Sequence, residues 1–361
     1  MDGFGAAERF VLGWADRLVD RRLWLLWAVG LAIGLGLLVA APPYEKLHQY
    51  TTWNAVFDQA AHPFRVHTYG YGSHEGKLAY RLLVPVIGGR LGLDRAGFLI
   101  LQGLAGLALI AAVALLCVRI TGDRTVALFV AVATGSCWAG ATAFVEVRGI
   151  FDGVALALLV GAALATRWPV VAGLVFLAGF TDERALVAAL LVALFHLLST
   201  PAGGTRRALG VIVGLVGYGV AREALHAAFG LRTGGGGVVL LNWWELGPEG
   251  AWTGIEGLWL FVLGGLVLLA AARMWRPAVV FAALVGTLLV AGTSVFDVTR
   301  SMAYLLPAAF VGIAVVRTHA PEHLRRVALL AMLASLLWPL YSVDHGDLTL
   351  FAPLPVQITR W

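Results

Sequence analysis

Residues 97–118 read G-F-L-I-L-Q-G-L-A-G-L-A-L-I-A-A-V-A-L-L-C-V, an uncharged run of 22 residues. A helix rises about 1.5 Å per residue, so this run is long enough to cross the roughly 30 Å hydrocarbon core of a bilayer. The alternating pattern of a membrane β-barrel does not occur along the chain. The run therefore predicts a transmembrane helix.

The rest of the chain has the same character. Of its 361 residues, 60% are hydrophobic and only 13% are charged, and the mean hydropathy is +0.85. Soluble domains of this size are far less apolar. We therefore predict an all-α, polytopic transmembrane helical bundle that forms a single integral membrane domain over residues 1–361, with about 10 or 11 spans. We place the spans at residues 23–41, 97–118, 125–144, 152–166, 168–181, 185–199, 208–221, 254–272, 277–295, 301–316 and 327–343.

The formal net charge of +5 is explained better by topology than by nucleic-acid binding, because most arginines fall in short turns between spans. If the basic N-terminus is cytoplasmic, every turn on the inner side carries arginine. We expect a multi-pass protein of the bacterial inner membrane, and this charge pattern predicts that its N-terminus lies in the cytoplasm. The inner turns hold Arg119 and Arg124, Arg167, Arg206 and Arg207, Arg273 and Arg276, and Arg317, Arg325 and Arg326.

Two long segments then lie on the outer face, residues 42–96 and residues 222–253. In the first of these outer loops, one set of residues falls near a single helical face and predicts an interfacial helix. The set is Leu47, Tyr50, Asn54, Phe57 and Ala61.

The predicted interfacial helix carries Asp58, our first catalytic candidate. A carboxylate at a partly desolvated membrane surface can act as a general base. Glu45 and Glu75 compete for this role. Candidate substrate-binding residues follow Asp58 in the chain, namely His62, Arg65, His74 and Glu75. The alternative is that these polar groups are only solvated at the level of the lipid headgroups.

Three aspartates each precede a span that runs inward from the outer face, and each has an arginine close by in sequence. The pairs are Arg148 and Asp152, Asp182 and Arg184, and Asp297 and Arg300. Such aspartates could simply cap the helix N-termini. Alternatively, the guanidinium groups could bind a lipid phosphate through paired hydrogen bonds, with help from the helix dipoles.

If a phosphate binds there, the aspartates must pair with the arginines, hold a divalent cation such as Mg²⁺ or Mn²⁺, or face the acceptor. Glu183 lies within the same T-D-E-R segment as Asp182 and is a further binding candidate. Asp297 and Arg300 are three residues apart, on one face of a helical turn, which makes Asp297 our second catalytic candidate. In the second outer loop, Trp243 and Trp244 could stack on a sugar or belong to the aromatic belt of the membrane interface.

This pattern resembles the GT-C superfamily of membrane glycosyltransferases. The shared features are many spans, a long first outer loop with an interfacial helix and an acidic residue, and polar groups confined to the outer face. The resemblance implies that Asp58 is the base and that Arg148, Arg184 and Arg300 engage the phosphate of a polyprenyl-linked sugar. The chain lacks the W-W-D-Y-G signature and the large soluble C-terminal domain of the oligosaccharyltransferase branch, which disfavours peptide glycosylation.

The expected activity is sugar transfer from a polyprenyl-phosphate donor to a glycan or lipid acceptor on the extracytoplasmic face. The implied partners are the lipid-linked donor, that acceptor and membrane lipids, without nucleic acid. One alternative is a lipid or small-molecule transporter or flippase, although the span interiors carry almost no charge for ion coupling. Another is a non-catalytic subunit of an envelope assembly, for which helix caps and aromatic belts would account for every polar feature.

Overall fold

The structure, a computed structural model, describes residues 2–65, 78–199, 202–232, 247–295, 297–344 and 347–359. Within these ranges the chain is almost entirely helical, with one two-stranded sheet. The prediction of an all-α helical bundle is therefore confirmed. Four of the candidate site residues lie outside the described residues: His74, Glu75, Trp243 and Trp244.

Eighteen α-helices and two β-strands follow one another along the described chain. The helices are α1 (Asp2–Val19), α2 (Trp24–Val39), α3 (Thr52–Ala61), α4 (Leu83–Leu91), α5 (Arg95–Thr121), α6 (Arg124–Ser136), α7 (Trp138–Val145), α8 (Asp152–Leu164), α9 (Trp168–Gly179), α10 (Arg184–Ser199), α11 (Gly204–Phe229), α12 (Gly247–Ile255), α13 (Trp259–Ala271), α14 (Trp275–Thr293), α15 (Val298–Met302), α16 (Leu306–His319), α17 (Leu324–Leu337) and α18 (Leu354–Ile358). The strands are β1 (Tyr341–Asp344) and β2 (Asp347–Leu350), which pair antiparallel.

Five helical segments among the described residues are long and apolar enough to cross a membrane. They are Arg95–Thr121, Gly204–Phe229, Gly247–Ala271, Trp275–Thr293 and Val298–His319. Helices α6 and α7 together would be a sixth, bent by 57° at their junction. Helices α2, α8, α9 and α10 are apolar but shorter. All of these lie where the sequence places spans, while the count of 10 or 11 membrane crossings stays a prediction.

The predicted inner turns meet at one end of the bundle. Arg119 donates from Nη1 to the carbonyl of Leu164 at 2.6 Å, at the C-terminal end of α8. Arg317 likewise donates to the carbonyl of Thr121, the last residue of α5, at 3.3 Å. The last carbonyls of a helix have no intrahelical partner, so arginines stabilise them. These turns therefore share one end of the bundle, as the predicted topology requires.

Helix α1 was not predicted, because its apolar residues alternate with charged ones instead of forming a long run. It packs at the same end as the inner turns, where Glu8 accepts a hydrogen bond from Arg326 at 2.7 Å and Asp16 lies 3.3 Å from Arg325. Phe10 and Trp14 remain exposed on its other side. The N-terminal segment is thus an amphipathic helix bound to the start of α17.

The first outer loop contains the predicted helix, but the buried face differs in part from the predicted one. In α3 the side chains of Trp53 and Val56 are buried, whereas Asn54 and Ala61 are exposed. The indole of Trp53 donates to the carbonyl of Val147 at 2.9 Å and therefore sets the orientation of the helix. Of the predicted face, Phe57 packs against the same cluster as Trp53, as do Leu47 and Tyr50 just before the helix. The predicted face is therefore only partly the buried one.

Two further boundaries differ from the prediction. Helix α11 continues to Phe229, so residues 222–229 belong to a helix and not to the second outer loop. The last predicted span ends early, because Pro339 cannot continue a helix and holds Trp338 in an extended conformation. The strands β1 and β2 follow, and the Val343 amide donates to Thr299 Oγ1 at 3.0 Å.

Candidate functional site

The starts of α8 and α15 are joined by an ion pair that is buried in the bundle. Arg300 donates from Nε to Asp152 Oδ2 at 2.7 Å and from Nη2 to Asp152 Oδ1 at 3.2 Å. Both residues are only 1% exposed. Arg300 also donates from Nη1 to Asp297 Oδ2, so one guanidinium binds two carboxylates. Paired hydrogen bonds of this kind fix both position and orientation.

A second arginine connects this pair to the start of α10. Arg184 donates from Nε and Nη2 to the two oxygens of Asp182, at 2.9 and 2.8 Å. Its Nη2 also lies 3.3 Å from Asp152 Oδ1, and its Nη1 donates to Ser301 Oγ at 3.1 Å. Tyr304 donates its hydroxyl to the same oxygen of Asp152 at 3.3 Å. The N-termini of three helices therefore share one continuous set of hydrogen bonds.

The first outer loop contributes Arg81, which sequence reasoning did not select. Its Nη1 lies 2.9 Å from Asp182 Oδ2, and its side chain is 16% exposed. Its Nε is buried and has no hydrogen-bond partner among the described residues. We call the six residues Arg81, Asp152, Asp182, Arg184, Asp297 and Arg300 the Asp/Arg network. Three carboxylates meet three guanidinium groups, so the formal charges of the network cancel.

The neighbouring arginines keep Asp182 ionised. Burial opposes its ionisation, but the guanidinium groups of Arg184 and Arg81 outweigh burial and hold the pKa of Asp182 well below its usual range. The carboxylate is therefore charged at neutral pH. Removing one partner from such a buried pair costs much more than the pair itself contributes, because an uncompensated charge is left behind.

A separate ion pair lies in the loop before α8. Arg148 donates from Nε to Glu146 Oε1 at 2.9 Å and from Nη2 to Glu146 Oε2 at 2.6 Å. Burial again opposes ionisation, and the contact with Arg148 overcomes it and lowers the pKa of Glu146. The expected pairing of Arg148 with Asp152 is wrong, since Asp152 is bound by Arg300 and Arg184.

The helix-cap interpretation is also wrong for two of the three aspartates. Asp152 is the first residue of α8 and Asp297 directly precedes α15, yet neither helix has a side-chain cap. Their oxygens accept from guanidinium groups instead. Only Asp182 binds a backbone amide at a helix start, that of Arg184 at 2.9 Å.

An open apolar groove of about 520 Å³ lies between α4, α9 and α11. Val86, Phe176 and Leu225 are among its lining side chains. One end of the groove is adjacent in sequence to the Asp/Arg network, because the lining residues Leu82 and Phe180 lie one residue after Arg81 and two residues before Asp182. A hydrogen bond from the Leu83 amide to the Phe180 carbonyl, at 3.0 Å, joins the two segments there.

A third ion pair lies close to that end of the groove. Arg222, on α11, donates from Nη1 to Glu183 Oε1 at 2.7 Å, and each side chain is about a third exposed, 30% and 31%. The Arg222 guanidinium also lies 4.5 Å from the centre of the Tyr80 ring. Glu183 is therefore held near the network, as a neighbour of Asp182 in sequence, but its partner comes from α11.

The remaining predicted residues lie on or just after α3. Asp58 is half-buried in α3, five residues after Trp53, which is about 7.5 Å along the helix axis. Trp53 contacts the loop that carries Arg148, so α3 is held next to that loop. His62 and Arg65 follow α3 and are exposed, on either side of Phe64 in the groove wall.

No group of three or more His, Cys, Asp or Glu side chains that could hold a metal ion occurs in the described part of the chain. The aspartates of the network bind arginines where a Mg²⁺ or Mn²⁺ site would need them to face one another. The expected divalent cation therefore has no ligand set among these residues.

Three residues of the site were not predicted from the sequence, for different reasons. Tyr304 lies four residues after Arg300, and Glu146 lies two residues before Arg148, so helical spacing and simple proximity could have found both. Arg81 is 101 residues from Asp182, and no local pattern links two such positions.

The chain matches no protein-family model, no curated protein and no solved structure. The geometry of the site brings together five of the predicted residues, namely Asp152, Asp182, Arg184, Asp297 and Arg300.

Proposed function

We propose that this protein is a bacterial inner-membrane glycosyltransferase, similar in plan to the GT-C superfamily. It transfers a sugar from a polyprenyl-phosphate-linked donor to a glycan or lipid acceptor on the extracytoplasmic face. One observation carries the proposal: an apolar groove ends at Leu82, which directly follows Arg81 in the chain, and the buried Nε of Arg81 has no partner among the described residues. A lipid-linked phosphate has the same layout, with a hydrocarbon chain that ends in an anion.

The groove positions the lipid more than it adds affinity. A lipid chain in a bilayer is already in an apolar environment, so moving it into the groove gains little free energy from the hydrophobic effect. The gain is geometric, because a chain between Val86 and Leu225 brings its phosphate to the end of the groove at Leu82, the residue after Arg81. Most of the specific affinity then comes from the headgroup contacts.

The neutral Asp/Arg network binds phosphate through orientation and not through excess charge. The side chains of Arg81 and Arg184 are 16% and 21% exposed, whereas that of Arg300 is 2% exposed, so these two are the more accessible arginines of the network. Behind both of them, Asp182 fixes their orientation. Hydrogen bonds from charged donors to phosphate are short and strong, and donors that are already oriented need no reorganisation when charge develops.

Asp297 and Asp58 are the candidate bases in this scheme. Asp297 is 19% exposed, while Asp152 and Asp182 are 1% exposed, so Asp297 is the most accessible carboxylate of the network. The base takes the proton of the acceptor hydroxyl, and the acceptor oxygen attacks the anomeric carbon. The bond from that carbon to the phosphate oxygen breaks, and its electron pair leaves with the polyprenyl phosphate. The exposed arginines stabilise the departing charge.

Turnover of Asp58→Asn and Asp297→Asn distinguishes the two bases. Each change keeps the size of the side chain and removes the base, so the true base should lose about a hundredfold or more in rate. The assay uses a polyprenyl-phosphate-linked sugar with the purified protein in lipid nanodiscs. Glu249→Gln, at an exposed carboxylate on α12, is the control and should keep wild-type turnover. Full activity in both aspartate variants would rule out either residue as the base.

Filling the groove tests whether a lipid chain lies there. Ala224→Trp places a large side chain in the groove and should weaken binding of polyprenyl phosphate while leaving inorganic phosphate binding unchanged. Val213→Trp adds the same side chain to an exposed position of α11 away from the groove and serves as the matched control. Equal affinities in both variants would show that the chain binds elsewhere.

Cysteine labelling tests the proposed orientation in the membrane. His319→Cys, at the end with the inner turns, should react only from the cytoplasmic side. Ala61→Cys, at the end of α3, should react only from the outside. The native residues Cys117 and Cys137 are buried and need not be removed. Labelling of both sites from the same side would contradict the proposed topology.

A further inference from the structure

Glu256 lies in the interior, where the helical segment Gly247–Ala271 is interrupted. It begins a short 3-10 turn, Glu256–Leu258, between α12 and α13. Its φ angle is 41°, in the left-handed region that residues with a side chain rarely adopt. Its side chain is 0% exposed. Strained backbone at a buried acidic residue is a combination that packing alone does not favour.

The carboxyl group of Glu256 has no hydrogen-bond donor within the described residues. Both of its oxygens are buried and unpartnered. Asp152 and Asp182 are equally buried, but each is bound by two arginines. An ionised carboxylate without a donor is very costly in apolar surroundings, so such a group takes up a proton instead.

The backbone directly after Glu256 packs closely against α17. A Cβ atom added to Gly257 would lie 2.0 Å from the carbonyl oxygen of Ala331 on α17. The Gly257 amide also donates to Ser335 Oγ at 3.1 Å. A hydrated cation needs several oxygen ligands and room for them, whereas a proton needs neither.

Four helices pack against this turn, α6, α12, α13 and α17. Cys137, at the bend between α6 and α7, is close enough to interact electrostatically with Glu256. Helix α13 has no ionisable residue, and Glu249 is exposed at the start of α12. The other charged residues of these helices are Arg124, Arg325 and Arg326, which lie at the opposite ends of the helices. Arg124 binds the Val19 carbonyl, Arg325 binds Asp16 and Asp123, and Arg326 binds Glu8.

We propose that Glu256 is a proton-binding site, neutral in the packed bundle, which releases its proton to water only when the break between α12 and α13 opens. The site is separate from the Asp/Arg network, and the inference does not rest on the proposed glycosyltransferase activity.

Opening of this break would also reach the Asp/Arg network. Helix α12 packs directly on α15, where a Cβ added to Gly250 would lie 2.5 Å from Val298. Thr253 Oγ1 and Thr299 Oγ1 share a hydrogen bond of 3.1 Å, one residue before Arg300. The segment that leads into Glu256 therefore contacts the helix that carries Arg300 through close packing and one hydrogen bond.

Infrared spectroscopy of the protein in lipid nanodiscs near neutral pH decides whether the proton is present. A protonated carboxyl without a hydrogen bond has a C=O stretch well separated from that of a carboxylate. We expect this band in the wild type and in Glu249→Gln, and its loss in Glu256→Gln, which keeps the shape of the neutral acid. Absence of the band from the wild type would mean that Glu256 is ionised, and would overturn the proposal.

Reaction with dicyclohexylcarbodiimide tests proton release in the unmodified protein. This apolar reagent modifies protonated carboxyl groups, and peptide mass spectrometry locates the product. Glu256 should react near neutral pH and more slowly as the pH rises, while the equally buried but ion-paired Asp182 should not react. Equal modification of both residues would contradict the neutral state. No reaction of Glu256 at any pH would show that the break does not open, and would overturn the release step.

Discussion

The two ends of the bundle both collect arginines, but the arginines differ in burial. At the end with the inner turns, Arg119 and Arg317 are bound to backbone carbonyls of helix C-termini, and the arginines at the start of α17 pair with carboxylates while remaining exposed. At the other end, Arg184 and Arg300 are bound to buried carboxylates, of which Asp152 comes from a distant part of the chain. Both ends use arginine, but loss of a binding partner should destabilise the fold more where the arginine is buried.

The difference shows why the number of arginines does not identify a site. An exposed arginine that binds a carbonyl is solvated and contributes little beyond satisfying the end of a helix. A buried arginine that binds two carboxylates cannot lose either one without leaving charge in an apolar interior. Equivalent substitutions at the two ends should therefore differ in their effect on stability.

Asp152→Ala should have the largest effect on stability. It leaves Arg300 buried with one fewer carboxylate and removes an acceptor from Arg184. We expect the free energy of unfolding to fall by about 3–5 kcal/mol. Arg119→Ala at the opposite end should lower it by less than about 1 kcal/mol. Thermal unfolding of both variants in the same detergent measures the difference, and equal losses would contradict the contrast between the ends.

Arg300→Lys should cost less, about 1–3 kcal/mol. The charge is kept, but a lysine cannot make the two-pronged contact with Asp152 while also reaching Asp297. Arg317→Lys, where the wild-type arginine donates to a single carbonyl, is the control and should be nearly silent. A silent Arg300→Lys would show that the paired geometry is unimportant.

Acid should affect the two ends differently. Because the folded state lowers the pKa of Asp182 and of Glu146, each stabilises the fold above its unfolded value of about 4, and that contribution is lost as the pH falls through the acid range. The unfolding temperature should therefore drop on acidification, and Asp182→Asn should show a smaller drop. The unfolding temperature of Arg119→Gln should fall on acidification as much as that of the wild type, since the carbonyl that Arg119 binds does not titrate.

Arg207→Gln should have the smallest effect, within about 0.5 kcal/mol. Arg207 donates from Nε to the Thr166 carbonyl at 3.2 Å near the C-terminal end of α8, and glutamine can still reach that carbonyl through its amide. Chemical unfolding curves of this variant and the wild type should overlap. A loss as large as that of Arg300→Lys would mean that the carbonyl contacts at this end are also essential.

Local sequence predicted most of the helices, because an apolar run long enough for a bilayer has few other structures available to it. It also predicted the pairs Asp182 with Arg184 and Asp297 with Arg300, whose members are two and three residues apart. Both pairs are confirmed.

Long-range contacts were not predictable in this way. The partners of Asp152 are 32 and 148 residues away, and Arg81 joins the network from a different loop. The face of α3 was set by Trp53 and its hydrogen bond to Val147, 94 residues away. Glu256 lies inside a run that reads as an ordinary span, and only the interrupted helix shows that its carboxyl group has no described partner.

The affinity of the purified protein for polyprenyl phosphate tests the central claim most directly. The titration compares the wild type, Arg81→Gln and Arg207→Gln in lipid nanodiscs. Arg81→Gln removes a charged donor at the end of the groove and should weaken binding by about tenfold or more, since a hydrogen bond to a charged group contributes about 1.5–3 kcal/mol. Arg207→Gln should bind like the wild type. If the two variants bind equally well, or if Arg207→Gln is the weaker, the lipid phosphate does not bind at the Asp/Arg network.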